Sequence, residues 1–194
     1  MRKLKKKSGS APLMVFVMFT FLLIYFLWSF IMTKYTIVSE SEIIHDSLVS
    51  TNLAVFSIKN LDMNLLSEYP EKKITILKSP SDAYYTFEKH LRYNLGLNDN
   101  FEPNNKKFIK SKVNTTEFII YNVSNNDITE YDLDTSNTTF NKTYYPDAVG
   151  KMKTPKGNVI KATTVYSKID FDIETMFNNV KHVDVSEDTA IAIK

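Results

Sequence analysis

Asp132-Leu133-Asp134-Thr135-Ser136 places oxygen donors at alternate positions, the spacing with which a calcium loop opens. The pattern then stops. Such a loop turns on a glycine at its sixth place and closes with a glutamate at its twelfth, where this chain has Asn137 and Thr143. A solvated loop without metal is expected there. The three histidines, His45, His90 and His182, are far apart in sequence, and His45 and His90 sit among polar neighbours on predicted helices. Surface or boundary positions are expected for both. Cysteine is absent, which excludes disulfides and thiol enzymes. Gly9, Gly96, Gly150 and Gly157 are isolated, so no Gly-rich phosphate loop, nucleophile elbow or dinucleotide fingerprint can form. A Ser-Lys hydrolase needs no glycine motif, but no spacing marks one. The expectation is a protein that is not an enzyme and takes no cofactor, metal or small-molecule substrate.

Asn114-Thr115-Thr116, Asn122-Val123-Ser124, Asn137-Thr138-Thr139 and Asn141-Lys142-Thr143 match the N-glycosylation pattern. In a chain so rich in Asn and Thr, chance produces such matches.

Residues 12–32 form one apolar run without a charge, directly behind Arg2, Lys3, Lys5, Lys6 and Lys7. A bilayer core about 30 Å thick needs roughly 20 apolar residues in a helix. Only Lys34 follows closely, so the positive-inside bias holds residues 1–11 in the cytoplasm and puts residues 34–194 outside. A cleaved signal peptide has a shorter apolar region ending at a small-x-small site. Ser29-Phe30-Ile31-Met32-Thr33 offers no such site, so a retained anchor in the plasma membrane, single-pass with its C-terminal domain extracellular, is expected.

From Tyr35 to Ile58 there is no Pro or Gly, and apolar residues return at Ile37, Ile44, Leu48, Val55 and Ile58. These spacings of seven, four, seven and three mark one helix face. One helix from about Pro12 to about Lys59 is expected, with this stripe packing against a sheet. The parts are then a basic leader (1–11), a transmembrane helix (12–32), its amphipathic continuation (33–60) and an exported α+β domain (61–194).

Within that domain, Lys73-Ile74-Thr75-Ile76-Leu77 reads as a short strand. A second helix follows Pro80, with Ser81 or Asp82 as cap, Ala83, Phe87, Leu91 and Leu95 on one face, and Gly96 as its stop. The period then changes to two. Segments 117–123 and 128–133 flank Ser124-Asn125-Asn126-Asp127 as a hairpin. Pro155-Lys156-Gly157-Asn158 is a turn, Val165, Ile169, Phe171 and Ile173 share a face, and Val183-Asp184-Val185 and Ala190-Ile191-Ala192-Ile193 close the sheet. The fold class is α+β, a long N-terminal helix packed on an antiparallel sheet.

The formal net charge of +2 conceals an asymmetry. Six of the 24 Lys and Arg lie in the first 34 residues, which hold no acid, leaving 18 basic against 22 acidic groups, a formal −4. The exported part has no electrostatic reason to bind nucleic acid.

A short basic leader, Gly9-Ser10-Ala11 at the membrane edge, and a long helix running from apolar to amphipathic before an antiparallel domain resemble type IV pilins and pseudopilins. Within that group the chain resembles the TadE-like minor pilins of tight-adherence (Tad/Flp) systems in Gram-positive bacteria. The resemblance covers the N-terminal third by architecture and, more loosely, the second helix and the strand around Tyr166-Ser167-Lys168-Ile169. It implies a pilin-like fold, work by packing, partners among pilin or pilus-assembly proteins, and prepilin-type processing between Gly9 and Ser10. The fifth residue after that cut is Met14, where the family pattern has an acid. An uncleaved, membrane-bound assembly partner is compatible with that departure. Alternatives from other classes are a single-pass sensory or binding ectodomain and a membrane-tethered hydrolase.

Overall fold

The computed structural model describes residues 10–62, 76–106, 108–175 and 179–191. Helix α1 (Ser10–Val55) runs unbroken through 46 residues, about 70 Å at 1.5 Å per residue. It ends four residues earlier than the sequence suggests, and a short 3₁₀ turn (Ile58–Asn60) follows. Asn60 supplies the reason. Its side-chain amide donates to the Val55 carbonyl at 2.9 Å, satisfying an acceptor that the last helical turn leaves open.

Helix α2 (Pro80–Leu95) is capped by Ser79, whose hydroxyl accepts from the Asp82 amide at 3.2 Å. This corrects the expected cap at Ser81 or Asp82. Pro80 is the first helical residue, where its missing N–H is no loss and its fixed φ suits the helix. Gly96 stops the helix at φ 62°, a left-handed conformation that glycine adopts without a Cβ penalty.

Five antiparallel strands follow: β1 (Asn114–Ser124), β2 (Asp127–Asp134), β3 (Thr139–Tyr145), β4 (Thr164–Glu174) and β5 (Val180–Ala190). Their spatial order is β3-β2-β1-β4-β5. The hairpin β1–β2 turns at Asn125 and Asn126, with Asn125 at φ 56°. Of the two closing strands expected, Val183-Asp184-Val185 lies within β5, which pairs with β4 along its whole length and ends at Ala190, and Ala192-Ile193 of the second lie outside the described residues. Most of the strand expected at Lys73-Leu77 lies outside the described residues. Leu77 itself bridges Leu61, and its backbone N–H and C=O are both held by the buried Asn122 side chain at 3.0 Å.

The inner face of the sheet buries Phe118, Ile120, Val165, Ile169 and Phe171 against both helices. Tyr84, Phe87, Phe118 and Phe140 add an aromatic cluster with centroids 4.9–6.4 Å apart. On the outer face Tyr121, Ile128 and Tyr166 pack under Ile160 and Met152 of the connection from β3 to β4. That connection wraps the β5 edge, where Asp188 accepts from Thr154 Oγ1 at 2.5 Å and Asn158 Nδ2 at 3.0 Å.

Candidate functional site

The two halves of α1 meet different surroundings. Across residues 13–32 every large apolar side chain is exposed, the least of them Val17 at 43%. Thr20 and Thr33 return their hydroxyls to the Phe16 and Ser29 carbonyls at 2.9 and 3.0 Å, so these two need no water. This half is long and apolar enough to cross a membrane.

The second half is built into the domain. Ile44, Leu48 and Val55 are buried in the main core, and Ile37 is half-buried at its edge. The Ile58 side chain, the last of the stripe, lies outside the described residues, as does Gly9; Ser10 is the first residue of α1. Each buried Leu or Ile contributes about 1.5–3 kcal/mol relative to exposure.

The seam between α1 and the sheet also carries polar pairs that sequence periodicity does not disclose. Asn52 and Ser167 are fully buried. Ser167 Oγ donates to Asn52 Oδ1 at 2.8 Å, and Asn52 Nδ2 donates to the Glu187 carbonyl at 3.2 Å. Thr51 donates to the Ser47 carbonyl at 2.7 Å and accepts from Asn94 of α2 at 3.0 Å. The Glu187 carboxylate, 14% exposed, receives Lys156 Nζ at 2.7 Å and is in hydrogen-bond contact with His45 Nδ1. His45 is thus no idle boundary residue: it ties the long helix to the edge strand.

Beside this seam, a groove of about 390 Å³ opens between α1 and the strand ends. Ile37 and Ile44 form one wall, Phe171 and Ile173 the floor, Val183 and Val185 the other wall. Lys181 stands at one end and His45 at the other. This volume falls within the range of ligand clefts, roughly 300–1,000 Å³.

The outer face of β4 and β5 holds a charged cluster around His182. Its Nδ1 meets Asp172 at 2.9 Å, and its Nε2 lies 3.3 Å from Asp170 and 3.8 Å from Asp184. The hydrogen bond to Asp172, reinforced by the three aspartate charges, raises the pKa of His182 above its ordinary value. Lys168 bridges Glu117 and Asp184 at 3.8 Å each. On the other side of the fold, burial pushes the Tyr84 hydroxyl up to about 12 and raises the neighbouring Glu88 carboxyl.

Asp132 lies within β2 and Asp134 at its end. Asp134 Oδ1 accepts from the Ser136 amide at 2.9 Å and Oδ2 from Asn137 at 3.2 Å, so its own hairpin turn uses both oxygens. Among the described residues no group of three or more His, Asp or Glu is arranged to hold a metal ion. Asn122 of the second glycosylation tripeptide is buried and committed to Leu77.

No family model matches this chain, and no curated protein or solved structure matches it either. What the geometry defines is an α+β domain carried on a helix that is long and apolar enough to cross a membrane.

Proposed function

We propose that this chain is a plasma-membrane-anchored, pilin-like subunit that works by packing and protein contacts, on the plan of a TadE-like minor pilin or its assembly partner. One observation carries the proposal. A single 46-residue helix exposes an all-apolar surface along its first half and is buried in the domain along its second. An exposed apolar surface this large does not persist in water, and a continuous helix fixes the domain's orientation to whatever surrounds the anchor. The basic leader puts the N-terminus in the cytoplasm and the domain outside.

The experiment is a topology and processing measurement on the native membrane. The protein should resist alkaline extraction, its domain should be reached by protease added outside, and pilus-assembly proteins should co-purify with it. An N-terminus at Ser10 supports a processed subunit, and one at Met1 an uncleaved assembly partner. Recovery in the soluble fraction would rule out the anchor. The groove beside α1 favours a second reading, a single-pass ectodomain that binds a ligand there.

A further inference from the structure

The groove lies close to the anchor, and its apolar lining runs between Lys181 at one end and His45 at the other. Ile37 is five residues beyond Met32, about 7.5 Å along the helix, which sets the groove's near end at headgroup depth if residues 12–32 span the bilayer. From Ile37 to His45 the groove follows α1 for eight residues, about 12 Å. One lipid chain occupies half of a hydrocarbon core about 30 Å thick, or about 15 Å, so groove and chain have comparable lengths.

The walls suit a chain. Ile37, Val183 and Val185 are only half-buried, so each retains apolar surface that a hydrocarbon would cover. The near end suits an anion. Lys181 is exposed, and no acid among the described residues pairs with it. Lys34, also exposed, lies three residues before Ile37 and so on the same helix face. Asp184 borders the groove, but its carboxylate is engaged by Lys168 and His182 on the outer face. The far end is closed by His45, which is held by Glu187.

We propose that this groove holds one acyl chain of an anionic membrane lipid, its headgroup phosphate between Lys34 and Lys181 and its chain running from Ile37 toward His45. The proposal rests on the reading of α1 as a membrane anchor. A lipid held this way fills the gap between helix and sheet and couples the domain's footing to the charge of the outer leaflet.

The test places the full-length protein in vesicles of phosphatidylglycerol carrying a photoreactive acyl chain, followed by peptide mapping. Label is expected in the anchor and also in peptides containing Phe171 or Val183. Val183→Trp should remove the groove label and leave the anchor label intact, with unchanged protease resistance showing that the variant is folded. Lys181→Gln should lower groove labelling by phosphatidylglycerol about fivefold and leave labelling by phosphatidylcholine unchanged. Label confined to the anchor, groove label insensitive to Val183→Trp, or a groove cross-linked to a second copy would each overturn the proposal. Absence of label from the anchor itself would instead overturn the membrane reading, so the two failures are distinguishable.

Discussion

Ser167 Oγ of β4 donates to Asn52 Oδ1 of α1 at 2.8 Å, and neither side chain is reached by solvent. An apolar stripe lets a helix slide or rotate slightly over a sheet at small cost, whereas a buried hydrogen bond is satisfied in one register. Asn52 also donates to the Glu187 carbonyl at 3.2 Å, so one residue locates the helix against two adjacent strands. Replacing it with leucine leaves the Ser167 hydroxyl and the Glu187 carbonyl without that partner in a dry interface. Asn52→Leu should therefore destabilise the domain by about 1–3 kcal/mol. Urea unfolding of the detergent-solubilised protein, followed by tryptophan-independent circular dichroism, measures it, and an unchanged midpoint would refute the pairing.

The apolar part of the same seam gives a sharper contrast. Leu48 is fully buried, while Leu53, five residues on, is 48% exposed on the opposite side of α1. Leu48→Ala should cost about 2–5 kcal/mol through lost burial and the cavity left behind. Leu48→Asp and Ile44→Asp add a buried charge, should detach the helix from the sheet, and should make the domain protease-sensitive. Leu53→Asp should stay within about 0.5 kcal/mol of the parent. Equal protease resistance of the Leu48→Asp and Leu53→Asp proteins would remove the basis for this packing.

These elements divide by how much of their determinant is local. Ile44, Leu48 and Val55 are separated by helical spacings and meet one core, so periodicity discloses them. Gly96 needs only its neighbours to form a left-handed cap, and the β1–β2 turn needs only Asn125 and Asn126. Strand β3 is not legible in the sequence because it is an edge strand with five of its seven residues exposed, so Thr139–Tyr145 carries little hydrophobic alternation. The His45–Glu187 pair joins residues 142 apart, and no local pattern links them. His182 looks solitary in sequence. Asp184 lies two residues on in the same strand, but Asp170 and Asp172 reach the ring only because β4 and β5 pair in the observed register.

That convergence makes the stability of β5 depend on pH. His182 has a folded-state pKa raised above 6.5, chiefly by its hydrogen bond to Asp172. A raised histidine contributes stability that is fully present below the unfolded value and is lost as pH rises through the folded value. The melting temperature of the native protein should therefore exceed that of His182→Gln at pH 5, with the gap closing above neutrality. A gap that is independent of pH would show that the imidazolium is not what holds the strand pair.

Glu187 invites the complementary substitution. Its carboxylate is 14% exposed and faces two partners, the His45 ring from the helix and the Lys156 ammonium from the connection that wraps the β5 edge. Glu187→Gln keeps the size and loses the charge. It should loosen the connection more than the core, exposing the Lys156 peptide bonds to trypsin about tenfold faster, the ratio that ~1.4 kcal/mol of lost local stability gives. Global unfolding should shift less. A protein in which trypsin still cuts Lys156 at the parental rate would leave Glu187 as a solvated edge residue.

The apolar half of α1 is open to a direct test of the membrane reading, because its surface has no counterpart in the domain. Leu22 lies midway along residues 12–32 and is 54% exposed with nothing packed over it. In a domain without a membrane, lysine at an exposed helix position changes stability by no more than about 0.5 kcal/mol. At the centre of a bilayer-spanning helix, a lysine costs about 2.5–3.5 kcal/mol. Leu22→Lys combined with Phe26→Lys should therefore move the protein from the membrane pellet to the soluble or degraded fraction, while Val38→Lys, exposed but beyond the apolar run, should leave it in the membrane. Adding Ile43→Lys, also exposed, to Val38→Lys matches the two added charges on the same continuous helix, so helix propensity and net charge do not separate the two double variants. Only depth in a bilayer does, and equal partitioning of both would deny that α1 is an anchor.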